Sequence, residues 1–248
     1  MKNFKITLAY DGAKYKGWQK LGGEDAEKTV QGKLEAVLSK CFSRKMEVNG
    51  ASRTDAGVHA REQVANFKIA KTDMHPREIA DYLRHYLPED IAIKNVQEVD
   101  NEFHARFKAK GKTYCYQIWQ SDVLDPFQRK YVWYVEQKLN MEMMEMAANG
   151  FIGKHDFTTF TNAKSKKNSM ERTIEKIEIR KDGALLTIRV TGDGFLHNMV
   201  RKMVGMLVSV GLGELGITAI HDSLKAKDRS LNSPLAPAQG LFLEKIQY

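Results

Sequence analysis

Residues 52–60 read SRTDAGVHA, which brings Arg53, Asp55, Gly57 and His59 together in a stretch with neither strand nor helix periodicity, between two apolar segments. Asp55 is the carboxylate there that could do chemistry. Read from these residues alone, it organises a turn by accepting from nearby backbone N–H groups. A second candidate is Arg201 in GFLHNMVRKMVG, where Val200, Met203, Val204 and Leu207 supply an apolar helix face and helical spacing puts His197 on the side of Arg201. Such an arginine is either exposed at the surface or paired with an acid. On TYCYQIW, Tyr114 and Tyr116 point the same way from one strand, as two sheet aromatics would.

The elements that must position these groups follow from hydrophobic spacing. Phe4, Ile6, Leu8 and Tyr10 alternate as a strand that Asp11-Gly12 ends. Val30, Leu34, Val37, Leu38, Cys41 and Phe42 form one helical stripe. MEVNGAS and QVANFKI read as strands on either side of SRTDAGVHA. Pro76 opens a helix carrying Ile79, Leu83, Tyr86 and Leu87, Pro88 stops it, and residues 91–98 form a strand. The second half repeats the order, with TYCYQIW as a strand, a helix over 139–151 and strands around 174–179 and 186–190. A longer helix follows Gly192-Asp193-Gly194 and runs to about Gly211, then come a short helix over 218–227 and LFLEKI as a closing strand. The expectation is an α+β chain of two ferredoxin-like β-α-β-β-α-β halves, 1–105 and 106–248, with antiparallel sheets and helices on one face. YVWYV at 131–135 does not fit that scheme.

No apolar run reaches the roughly 20 residues of a membrane span, and 28% charged residues suit a soluble protein. MKNFKITLAYDG reads as a strand and not as a signal peptide, which favours the cytoplasm. Cys41 and Cys115 lack metal-ligand spacing and read as two buried thiols. The net charge of +8 favours an anionic partner. Lysines gather at Lys14, Lys16 and Lys20 and again at Lys164, Lys166 and Lys167, each group being either a solvated loop or a set of phosphate contacts.

SRTDAGVHA closely resembles the GRTDAGVHA motif of the TruA family of pseudouridine synthases. Similarity extends to YDGAKYKGWQ (10–19), TVQGKLE (29–35), FHAR (103–106), HDFTTF (155–160), GFLHNMVRKMVG (194–205) and APAQGLFL (236–243), in the family's order across nearly the whole chain. The resemblance implies isomerisation of uridine to pseudouridine in RNA with no cofactor and no metal. Asp55 is then the catalytic residue, acting as a nucleophile at the ribose C1′ or assisting an elimination route through a glycal. Arg201 is its ion-pair partner, and Tyr114 packs on the target base. Arg53 helps hold the nucleotide out of its stack, and Leu243 lines the uracil pocket. His197 is either structural or an RNA contact, and Lys14 and Lys16 are candidates for phosphates. A homodimer is implied as well.

The resemblance makes the tRNA anticodon stem-loop the expected substrate. Two departures raise ribosomal RNA as an alternative: Ser52 stands where the motif usually has glycine, and Lys112-Thr113 stands where a pair of arginines often precedes the tyrosine. A catalytically silent RNA-binding protein would share the basic charge and open sheet faces, but Asp55, Tyr114 and Arg201 together argue against it. A carboxylate-dependent hydrolase would need a second motif carboxylate.

Overall fold

Strand β1 (Lys2–Tyr10) forms as its alternation predicts, with Phe4, Ile6, Leu8 and Tyr10 buried. The computed structural model describes residues 1–162, 169–231 and 234–248. Lys164, Lys166 and Lys167 lie outside the described residues. The chain divides into two compact units, Met1–Lys110 with Phe242–Tyr248, and Gly111–Leu241.

In the first unit β1 is followed by α1 (Val30–Cys41), β2 (Asn49–Gly50), β3 (His59–Ile69), α2 (Pro76–Tyr86) and β4 (Ile91–Val99). β1 pairs antiparallel with β3 on one side and β4 on the other, and β2 pairs antiparallel with β3. The order β4-β1-β3-β2 is the split βαβ arrangement. β2 is only two residues long, so one flank of β3 is open to β10 (Leu241–Gln247), which runs parallel to it with Phe242 opposite His59 and Leu243 opposite Ala60. That strand was expected to close the second half. It joins the first unit through local bonds: Lys110 N–H donates to the Gln247 carbonyl at 2.8 Å, the Tyr248 hydroxyl donates to the Ala105 carbonyl at 2.8 Å, and Arg61 meets Glu244 at 3.3 Å.

The second unit contains β5 (Gly111–Trp119), β6 (Trp133–Tyr134), α3 (Met141–Ala148), β7 (Gly153–Asp156), β8 (Glu171–Asp182), β9 (Leu185–Gly192), α4 (Met199–Gly211) and α5 (Ala219–Ala226). Its antiparallel order is β5-β9-β8-β7, with β6 parallel to β5. Only Trp133 and Tyr134 of YVWYV form a strand, and β7 was not expected. The fold is α+β. Cys115 is buried, whereas Cys41 is half-buried beside Met74 and not fully buried as expected. Among the described residues no helix is long and apolar enough to cross a membrane.

TVQGKLE earns its place by tying α1 to the chain on either side. Thr29 caps the helix by accepting from Gly32 N–H, and Gln31 Nε2 donates to the Val48 carbonyl at 2.9 Å. Glu35 is buried, accepts from Val48 N–H at 3.0 Å and from Gln31 at 3.1 Å, and meets Lys20 Nζ at 2.9 Å. Removing such an acceptor strands a buried N–H, which costs about 1–3 kcal/mol. Glu35→Ala should therefore lower the denaturation midpoint by a corresponding amount while Glu35→Gln, which keeps an acceptor oxygen, recovers most of it; equal midpoints for Glu35→Ala and wild type in urea unfolding would refute this.

Candidate active site

The loop that carries Asp55 runs from β2 to β3 and is fixed by its backbone. Ser52 N–H donates to Gln63 Oε1 at 3.3 Å while Gln63 Nε2 donates back to the Ser52 carbonyl at 2.8 Å. Gln63 also reaches the Tyr10 hydroxyl at 3.4 Å, and that hydroxyl lies 2.8 Å from Thr54 Oγ1. Val58 N–H donates to the Asp55 carbonyl at 3.1 Å, closing a tight turn in which Gly57 takes a φ of +78°. Asp55 sits half-buried at this turn and Arg53 is exposed. Ser52 is only 8% exposed, so the atoms it adds over glycine lie within the loop's own packing.

Residues 10–19 cradle the loop from beneath. Trp18 N–H donates to the Thr54 carbonyl at 3.0 Å and Gly57 N–H to the Tyr15 carbonyl at 3.3 Å. A Cβ on Gly12 would fall 2.0 Å from the Val58 carbonyl oxygen, and one on Gly17, at φ +94°, would fall 2.5 Å from that of Thr54. YDGAKYKGWQ and SRTDAGVHA are therefore one structural piece, in which glycine permits backbone to lie on backbone. His59 is 1% exposed, stacks on Phe242 at 4.7 Å, and its Nδ1 lies 3.0 Å from both Gly12 N–H and an Asp11 carboxylate oxygen. The tyrosine below the loop, Tyr15, donates to Asp90, and burial together with that bond pushes its phenol above the ordinary range.

Lys14 is exposed beside this loop. Lys16 is held by Asp25 at 2.5 Å, and Lys28 meets the same carboxyl at 2.8 Å. Hydrogen bonds from Lys16 and then Lys28 hold the Asp25 carboxyl down to about 2. Leu243 is fully buried on β10.

In the second unit Tyr114 lies on β5 opposite Val190, buried, with its ring edge-to-face with Phe195 at 5.1 Å. Tyr116 on the same side donates its hydroxyl to the Pro237 carbonyl at 2.7 Å. Arg201 Nε donates to the adjacent Ala236 carbonyl at 2.7 Å, and Nη1 reaches Asn198 Oδ1 at 3.3 Å. Two consecutive carbonyls thus tie α4 to β5. His197 is not on α4, as the four-residue spacing had implied. The helix begins at Met199 because Asn198 takes a left-handed conformation at φ +62°. His197 is exposed in the preceding turn, and its carbonyl accepts from Thr161 Oγ1 at 3.0 Å. Lys112 pairs with Gly192 across the sheet, and Thr113 Oγ1 lies 3.0 Å from Thr191 Oγ1, so the departure at 113 forms a cross-strand hydroxyl pair.

The structure brings Asp55, Arg53 and Lys14 into one clamped loop region, and Tyr114 and Arg201 onto two elements joined through residues 236–237. Sequence reasoning missed Gln63, a buried polar residue on β3, and the roles of Tyr10, Thr54, Gly12 and Gly17 in holding the loop. Among the described residues no three His, Cys, Asp or Glu side chains are arranged to hold a metal ion.

The family described as tRNA pseudouridine synthase matches residues 6–108 and 147–248. The chain is 50% identical over 248 residues to tRNA pseudouridine synthase A 2 of Bacillus anthracis, covering 100% of both chains. At the same coverage it is 50% identical to tRNA pseudouridine synthase A of Bacillus sp. (strain KSM-64) and 40% identical to that of Acetivibrio thermocellus. With the family match spanning most of the sequence and relatives this similar over its full length, the chain belongs to the tRNA pseudouridine synthase family, a family of isomerases.

Proposed function

We propose that this protein converts uridine to pseudouridine in the anticodon stem-loop of tRNA, acting as a cytoplasmic homodimer with Asp55 as the catalytic residue. The observation that carries the reading is the backbone clamp on residues 52–59, which holds one half-exposed carboxylate in a fixed position beside an exposed arginine. The names of the relatives support tRNA over ribosomal RNA as the substrate.

In the reaction the N1–C1′ bond breaks with its electron pair leaving on uracil. The base rotates, C5 bonds to C1′, the C5 proton is lost and N1 gains one, so no oxidant or cofactor enters. Asp55 attacks C1′ or assists elimination to a glycal, and either route needs the carboxylate ionised. Arg201 supplies the cation, with Nε and Nη1 already fixing the plane of its guanidinium. Tyr114 stacks on the uracil, and Leu243 closes the pocket from β10. A uridine in a stem reaches the carboxylate only after extrusion, which costs a few kcal/mol, and Arg53 occupies the vacated space. Lys14, Lys16 and His197 bind the RNA.

Asp55→Ala and Asp55→Asn should each abolish pseudouridine formation while binding tRNA with nearly wild-type affinity, since affinity rests on spread phosphate contacts; residual turnover by the alanine variant, scored by mass spectrometry of the product nucleosides, would remove Asp55 from the chemistry. Arg201→Met should lower single-turnover rates by about a hundredfold or more, the usual effect of losing a fixed electrostatic group, and a rate within threefold of wild type would sink the pairing with Asp55. Affinity for tRNA should fall steeply with salt, and Lys14→Ala should reduce the log–log slope by about one. Lys16→Ala should reduce it less, because Asp25 already shares that charge; identical slopes for wild type and both variants would make the loop a bystander. Mapping pseudouridine in all RNAs of a strain with and without the gene identifies the substrate, and losses confined to ribosomal RNA would overturn the tRNA assignment.

A further inference from the structure

FHAR matches the family yet has no part in the chemistry above, and the turn it begins is built with unusual care. Two asparagines, Asn3 on β1 and Asn66 on β3, are both 0% exposed in the first unit's sheet. Asn3 Nδ2 donates to the carbonyls of Asp100 at 2.8 Å and Phe103 at 2.9 Å, and Asn66 Nδ2 donates to Asn3 Oδ1 at 3.0 Å. Asn66 Oδ1 in turn accepts from Ala105 N–H at 2.9 Å, and the Ala105 carbonyl is taken by the Tyr248 hydroxyl. Buried amides are costly unless satisfied, and here their bonds converge on one surface turn.

The turn holds Phe107 in the open. Nδ1 of His104 accepts from the backbone N–H groups of Arg106 at 3.2 Å and Phe107 at 3.4 Å, and the His104 ring lies 4.3 Å from that of Phe107. Phe107 is 76% exposed. Arg106, Lys108 and Lys110 around it are exposed, and among the described residues none of the three is in an ion pair. An exposed, held aromatic ring flanked in the chain by exposed cations is the arrangement that binds unpaired nucleotides, with the ring stacking on a base and the cations taking the phosphates.

We infer that Phe107, with Arg106, Lys108 and Lys110, is a stacking platform for an unpaired base of the RNA substrate, at a distance from the Asp55 loop. Seven residue steps along β1 lead from Asn3, which holds the turn, to Tyr10, which touches Thr54 next to Asp55. At ~3.3 Å per residue that is roughly 23 Å, close to the rise of about seven stacked nucleotides at ~3.4 Å each. The platform would therefore grip the RNA outside the segment that carries the target uridine and set how the substrate lies along the first unit. This inference rests on the reading of the substrate as RNA.

The test measures equilibrium binding of a full-length tRNA transcript to Phe107 variants across a salt series. Phe107→Ala should bind about tenfold or more weakly with an unchanged salt slope, the loss expected for one base–aromatic stack. Phe107→Tyr and Phe107→Trp should restore affinity, and Phe107→Leu, which keeps apolar bulk without a π face, should not. Lys108→Ala should lower the slope by about one. Wild-type affinity for Phe107→Ala, or full rescue by leucine, overturns the platform. So does a change in oligomeric state on gel filtration for Phe107→Ala, which would make the ring a protein contact. Because binding is read directly, a wild-type protein that binds tRNA in this pattern but forms no pseudouridine would leave the platform standing and overturn the functional reading alone.

Discussion

The position of Asp55 depends on how closely residues 12–17 lie against residues 54–59. At Gly12 and Gly17 a methyl group would meet the carbonyl oxygens of Val58 and Thr54 far inside van der Waals contact. The obstructing atoms are backbone, so no side chain could swing aside to make room. Ordering a loop costs about 1–2 kcal/mol per residue in backbone entropy. Bonds that Trp18, Gly57 and Val58 donate within this double layer offset that cost. What remains mobile at residue 55 is mainly a side chain of two torsions, and a reacting carboxylate must be held within about 0.5 Å of its productive geometry.

Beneath that contact the first unit uses buried polar side chains as fasteners. Gln63 clips the Ser52 backbone, Glu35 accepts from Val48, and Asn3 and Asn66 fasten the turn at 100–105. Each stands on a regular element and bonds to the backbone of an irregular segment. An apolar residue in any of these places would pack as well but would leave the neighbouring N–H or carbonyl unsatisfied, which is the costlier outcome. The sheet therefore fixes the Asp55 loop at one end of β1 and the basic aromatic turn at the other.

Much of this was legible in the sequence where burial imposes a period. Alternation marked β1 and β3, and three- and four-residue spacing marked α1, α2 and α4. Spacing runs out where a single backbone torsion or a tertiary pairing decides. His197 seemed to share a helix face with Arg201 because spacing cannot register the left-handed Asn198 that holds the start of the helix back to Met199. LFLEKI reads as a strand from its own pattern, but its parallel pairing with β3 is a tertiary outcome that the pattern does not supply. Lys16 looked like Lys14, yet Asp25 lies across a loop that no periodicity describes. For the site, Asp55, Tyr114 and Arg201 came from the resemblance. The fasteners that hold them had no signal beyond being polar in apolar company.

The two tyrosines of β5 show why position on a strand does not assign a role. Tyr114 and Tyr116 share one side, and spacing treats them alike. Burial pushes the Tyr116 phenol well above its ordinary range, against a smaller opposing pull from the Arg201 charge, so it stays protonated at any working pH. A protonated phenol donates, and Tyr116 donates to the Pro237 carbonyl. The neighbouring carbonyl, of Ala236, accepts from Arg201 Nε. Residues 236–237 are thus a two-carbonyl staple with β5 on one side and α4 on the other, and a shift of α4 would pull on the strand that carries Tyr114. Tyr116 is committed to that staple and has no proton-accepting role to offer. Tyr114, whose ring meets Phe195 edge-on, presents its side chain on the same strand two residues away. Ala236 and Pro237, the first two residues of APAQGLFL, therefore act through their main chain, by fixing the arginine helix and the tyrosine strand to each other.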